Sequence, residues 1–222
     1  MSDAKRVGRF ALWSGVIGIV AVGLLIAALA APTPSPNSMR RETSLFAWQN
    51  AAVILQALGM IPVTIGLRRL GNIETDAGRP ADVALGLFAQ LSLILTSALL
   101  FTDTVSDMLY MAPIGLVGLW LLTINRRDDG VFSRGLVWTG RVAGTGLVTV
   151  GVGFVIYGML VAPAVFTRPL STAEIDAQSL TPANLVAHVC MAVGTLFGRI
   201  VYPTWAIFLG LRLLRHAPDQ LS

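Results

Sequence analysis

The sequence predicts an all-α polytopic membrane protein: a six-transmembrane-helix bundle with its N- and C-termini cytoplasmic. Three observations carry that expectation. Of the 222 residues, 55% are hydrophobic and only 13% charged, where a soluble domain has about a quarter of its residues charged; the mean hydropathy is +0.72. The apolar residues come in blocks of about 20 or more between charged turns, the pattern of transmembrane helices. The basic residues cluster at alternate block ends, as membrane topology requires.

The blocks make one membrane domain over residues 1–222, with spans at about 10–31, 46–67, 83–101, 105–124, 135–162 and 185–213. The first follows Lys5, Arg6 and Arg9 and closes on Ala28-Leu29-Ala30, a small-residue pattern resembling a signal-peptidase site. Its apolar run is longer than a signal core of about 7–15 residues, so it reads as a retained helix; cleavage would leave five spans and an outside N-terminus. "PTPSPNSMRRETSL" (32–45) then forms an open, extended loop. The second and third spans carry Gln56 and Gln90 in their interiors. "TDTVSD", with Asp103 and Asp107, makes a solvated outside turn before the fourth span. The fifth span is rich in glycine and contains "GRVAG" (140–144), a G-x-x-x-G that lets a neighbouring backbone approach. This points to a central position, with Arg141 snorkelling to the headgroups. In the loop 163–184, "STAEIDAQ" fits a short interfacial helix capped by Ser171 or Thr172 with Glu174 following. Pro62, Pro113 and Pro203 interrupt three spans and free the carbonyls of Leu58, Leu109 and Arg199.

Orientation follows from the loops. Lys5, Arg6, Arg9, Arg68, Arg69, Arg79, Arg126, Arg127, Arg134, Arg212 and Arg215 stand on one side, and only Arg40, Arg41 and Arg168 on the other. The positive-inside rule puts the first set in the cytoplasm. The net charge of +4 is accounted for by these clusters, and nucleic acid is excluded as a partner.

The sixth span carries an arginine, Arg199, in a run long enough to cross a bilayer. At about 100° per residue, His188, Thr195, Arg199 and Tyr202 fall at about 0°, −20°, 20° and −40°, with Asn184 joining them. Such a line faces the bundle interior or a wet cleft rather than lipid. Arg199 lies roughly 22 Å along the helix from Asn184, near mid-membrane, where a charge costs about 2.5–3.5 kcal/mol. The groups at that level are neutral: Gln56, Gln90 and Thr195. The expected site is therefore a midplane polar pocket of Arg199, Gln56, Gln90, Thr195, Tyr202 and His188 around one uncompensated cation. Besides a pairing with a carboxylate supplied by another subunit, two readings stand side by side. In one, Arg199 ties helices together through amide oxygens and freed carbonyls. In the other it receives an anionic or carbonyl-bearing ligand such as a lipid headgroup, a fatty acid or a small metabolite.

Other chemistry finds little support. His188 could ligate haem or a chlorophyll magnesium, but the only other histidine, His216, is in the tail; a hydrogen-bonded structural role is the simpler reading. Cys190 alone makes neither a disulfide nor a cysteine metal site. No H-E-x-x-H, C-x-x-C, G-x-S-x-G or Walker-type loop occurs. No catalytic residue, metal or cofactor is expected.

"LWLLTINRRDDGVFSRGLVWTGRVAGTGLV" and the closing "AIFLGLRLLR" resemble bacterial six-span integral membrane proteins of unknown function. The resemblance is one of architecture and transfers no functional residue. It implies a multi-pass protein of the bacterial cytoplasmic (inner) membrane; the lipid bilayer, with other membrane-protein subunits as a further candidate, is the expected partner. The expected function is a non-catalytic membrane binding or interaction protein, as an accessory subunit or a bundle for lipid or a small ligand. The alternatives are a small transporter or carrier with a midplane polar site and, behind it, a membrane enzyme or a pigment- or haem-binding subunit.

Overall fold

A computed structural model describes residues 3–30, 44–70, 80–102, 105–106, 108–126, 132–168 and 181–215. Among them are six main helices and no strand: α1 (Asp3–Ala30), α2 (Ser44–Leu70), α3 (Pro80–Leu99), α4 (Met111–Ile124), α5 (Arg134–Leu160) and α6 (Pro182–Arg215). Short 3-10 turns, Leu100–Thr102 and Pro163–Phe166, follow α3 and α5. Five of the six, all but α4, are long and apolar enough to cross a membrane. Asp103, Asp107, the proposed 171–178 helix and His216 lie outside the described residues.

The fourth element departs from the expected 105–124. α4 has 14 residues, roughly 21 Å at about 1.5 Å each, short of the about 30 Å of a hydrocarbon core. Before it the chain winds in tight turns: Leu109 N–H donates to the Ser106 carbonyl (2.9 Å), Met111 to Met108 (3.0 Å) and Ala112 to Leu109 (3.2 Å). Pro113 is the third residue of α4, in a first turn where its missing N–H interrupts nothing. The Leu109 carbonyl, expected to be free, is taken by Ala112.

Local signals set the other ends. Ser133 Oγ accepts the Leu136 N–H at 3.4 Å and starts α5; Thr181 Oγ1 accepts from Asn184 at 3.2 Å and starts α6, with Pro182 in its first turn. Arg141 is tied to the end of α4. Its Nε donates to the Asn125 carbonyl (2.9 Å) and its Nη2 to that of Arg126 (3.0 Å), capping the end of α4, where unpaired carbonyls attract a cation.

The helices close a ring in chain order, each packed on the next and α6 returning to α1. Apolar side chains give no net drive to association in lipid, so close backbone contact has to hold the ring. α5 supplies it on two sides. Gly144 and Gly151 meet α4, where a Cβ on Gly118 would lie 2.6 Å from the Gly144 carbonyl and one on Gly115 3.0 Å from the Gly151 Cα. Gly146 meets α6, where a Cβ on Gly194 would lie 2.6 Å from the Gly146 carbonyl. Gly210 of α6 and Gly8 of α1 meet in the same way, the Gly210 Cβ falling 2.7 Å from the Gly8 carbonyl.

Trp120, Trp205, Met60, Val63, Leu121 and Leu209 are fully buried and fill the half of the ring nearer the N-terminus. Trp120 and Trp205 meet edge to face at 6.2 Å. The outer surface is apolar, with Leu55, Phe88, Leu95, Val152, Met159 and Leu185 all exposed. Trp48 and Trp138, exposed and each near the start of its helix, mark opposite ends of the bundle, the arrangement of an aromatic belt.

Candidate functional site

α6 is not a uniform α-helix. Thr195–Arg199 forms a π turn, one residue wider than an α turn. Two features of the sequence favour it: Pro203 has no N–H to offer the Arg199 carbonyl, and Gly194 and Gly198 press against the α5 backbone. The extra residue rotates the first half of α6 relative to the second, so the polar line drawn at a constant 100° is split. Arg199 is half-buried and Tyr202 buried, while His188 is exposed. His188 shares a hydrogen bond between Nδ1 and the Asn184 carbonyl (2.9 Å) and lies edge-on to Tyr157 at 5.8 Å.

Arg199 and Tyr202 face a cavity to which all six helices contribute. Its walls are Gly18, Ala21, Val22 and Leu25 from α1; Gln49, Val53 and Gln56 from α2; Leu93 from α3; Ile114 and Val117 from α4; and Leu147 from α5. The volume open to water centres is about 40 Å³, room for roughly three waters. Gln56, Gly18 and Arg199 all lie near the middle of their helices. From there the cavity runs along α1 to Leu25 and along α2 to Gln49, roughly 10 Å, toward the end where α1 finishes and α2 begins. The other end is shut by the Trp120–Trp205 core.

The guanidinium of Arg199 is held by Tyr110, the residue preceding α4. Nη1 donates to the Tyr110 hydroxyl at 3.1 Å, and Cζ stands 4.9 Å from the ring centroid. The carboxylates among the described residues are Asp3 and Asp82, in the first turns of α1 and α3 at the far end of the bundle. Around the cation the polar groups are neutral. Gln56 is 8% exposed, and its Nε2 is buried with no hydrogen-bond partner. Its backbone carbonyl accepts from Ser14 Oγ at 2.9 Å, and Gly18 leaves the room its amide occupies. Gln90 is fully buried behind Tyr202; its Nε2 donates to the Tyr202 hydroxyl at 3.4 Å while its Oε1 has no partner.

Of the residues singled out in the sequence, the structure thus brings Arg199, Gln56 and Tyr202 to one cavity, with Gln90 in contact through Tyr202. It leaves Thr195 and His188 outside the lining. Sequence reasoning missed Tyr110, Gln49, Ser14 and Gly18. Gln49 could have been found, because it stands seven residues before Gln56 and two helical turns return it to the same face. Tyr110 could not, because its pairing with Arg199 depends on the non-helical turns at 106–110. Among the described residues, no three His, Cys, Asp or Glu side chains come together as metal ligands would. No known protein family, curated protein or solved structure matches this chain.

Proposed function

We propose that this chain is a non-catalytic integral membrane protein that binds a small anionic or carbonyl-bearing ligand halfway through the bilayer. One observation carries the reading: a partly open cavity between the helices holds a permanently charged guanidinium that no described carboxylate neutralises. An ion at that depth either makes polar contacts or faces water or a ligand. Gln56 lines the same cavity, and its buried, unpartnered amide N–H becomes a second donor to the ligand when the side chain turns toward it. With the basic loops inside, the cavity opens away from the cytoplasm. A bacterial inner membrane is the setting this reading adopts, with a larger membrane complex as the context in which such a subunit works.

Native mass spectrometry after gentle extraction tests the reading. A bound species should accompany the wild-type protein and the His188→Ala variant and be lost from Arg199→Gln. An identical spectrum for all three rejects it.

A carrier is the second reading, and one observation favours it. A smaller depression lined by Thr64, Arg68, Asp82 and Trp120 lies on the far side of the tryptophan core, so the two concavities flank one aromatic barrier. Flux of a bound ligand into liposomes, abolished by Arg199→Ala, would select the carrier; saturable binding without flux would select the binding protein.

A further inference from the structure

The cavity joins one charged end to an apolar path. Its base carries a single cation with two neutral polar neighbours, Gln56 and Tyr202; Gln49 stands near its far end, and nearly all the rest of the lining is apolar or glycine. A dianion would bring one negative charge more than Arg199 cancels, into surroundings that penalise any unpaired charge. A neutral ligand would leave the guanidinium as it is. A monoanion balances it.

Shape narrows the choice further. A head with one substituent sends its chain along the one apolar path that the lining offers, whereas a tetrahedral phosphodiester carries two. A carboxylate has that form, and it matches the fork of a guanidinium with two parallel acceptor oxygens. From the charged base, Ala21, Val22, Leu25 and Val53 line a path of roughly 10 Å with apolar walls. α1 packs on the second half of α6, Val201–Arg215, whereas the first half, Pro182–Gly194, packs mainly on α5. Beside this path α1 therefore has little contact with the first half of α6. Resting on the binding reading above, we infer that the ligand is an amphiphilic monocarboxylate, a medium-chain fatty acid in class. Its carboxylate meets Arg199 beside Gln56, and its chain starts along Ala21, Val22 and Val53 and continues past the open end of the cavity, whose volume of about 40 Å³ takes only part of it.

The test uses the full chain purified in a non-ionic detergent, with decanoate, decanol, butyrate and phosphatidylglycerol as probes in a radioligand binding assay. Decanoate should bind saturably and at least about tenfold more tightly than decanol, because a charge-assisted pair is lost with the alcohol. Arg199→Gln should weaken decanoate by about tenfold or more, and Val22→Trp, which narrows the path, should weaken decanoate but not butyrate. The melting profile of each variant, with His188→Ala as a control outside the cavity, separates lost binding from lost folding. If butyrate binds as tightly as decanoate and both depend on Arg199, the site stands and the amphiphile is overturned. Displacement of decanoate by lower concentrations of phosphatidylglycerol overturns the carboxylate in favour of a phosphodiester lipid. If no probe binds, or Arg199→Gln changes nothing in a folded protein, both the inference and the binding reading fall.

Discussion

Arg199 sits near the middle of a helix long and apolar enough to cross a membrane, and its surroundings return about what a charge at mid-bilayer costs. Placing it there costs about 2.5–3.5 kcal/mol. A hydrogen bond from a charged donor returns about 1.5–3 kcal/mol, and a cation over an aromatic face about 0.5–2; Tyr110 supplies both. Tyr110→Phe should therefore cost about 1.5–3 kcal/mol of stability and Tyr110→Leu more, a ranking that thermal unfolding in detergent would check. Gly18 makes a different prediction. A Cβ there would meet the end of the Gln56 side chain and the Pro203 ring at 2.8 Å. The amide can swing aside, so Gly18→Ala should lower ligand affinity, measured by binding, more than it lowers the melting temperature. The arginine and both core glutamines were legible in the sequence as polar residues inside apolar runs. Their partners were not, since nothing in a span's own periodicity says which neighbour it meets.

At the scale of the element, α5 and α6 show how far a constant helical period can be trusted. The spans themselves were legible within a few residues: 135–162 was expected and Arg134–Leu160 observed, 185–213 expected and Pro182–Arg215 observed. The direction of the side chains on α6 was not, because the π turn at Thr195–Arg199 shifts the register midway. Its contributors, Pro203 and the glycines against α5, act through tertiary contact. α4 was misjudged for a related reason: Pro113 reads as an interruption in the sequence but serves as a helix start in the fold. The glycine contacts predict a sharp contrast. Gly118→Val must push apart two backbones, since its Cβ would lie 2.6 Å from both the Gly144 carbonyl and the Val148 nitrogen, and should cost about 1–3 kcal/mol or more. Gly23, with nothing within 4 Å, should accept alanine with a gain of about 0.5–1 kcal/mol from helix propensity. Melting both variants in one detergent would check the contrast.

At the scale of the whole molecule, the ring is closed by the tryptophan core in one half; in the other a small cavity along α1 and α2 lies beside a second core of Phe154, Tyr157, Val165 and Met191, and the cation sits where the two halves meet. The apolar exterior and the alternation of basic loops were readable from composition and charge. The cavity was not, because it is a property of six helices together, shaped by a short α4 and by an α6 whose two halves pack differently. Charge asymmetry predicts which way the half with the cavity faces: in intact cells, with Cys190→Ser as background, an impermeant maleimide should label Ser35→Cys and spare Ser2→Cys. The most direct test of the account concerns the cavity itself. Val53 lines it and Leu55, two residues on, is 54% exposed on the outer face. In the same background, a sulfonate-bearing thiosulfonate reagent should modify Val53→Cys faster than its ammonium-bearing counterpart, lose that preference in Arg199→Gln, and leave Leu55→Cys unmodified in the bilayer. Labelling of Leu55→Cys but not Val53→Cys, or equal rates for the two reagents at Val53→Cys, would contradict a wet cavity governed by Arg199.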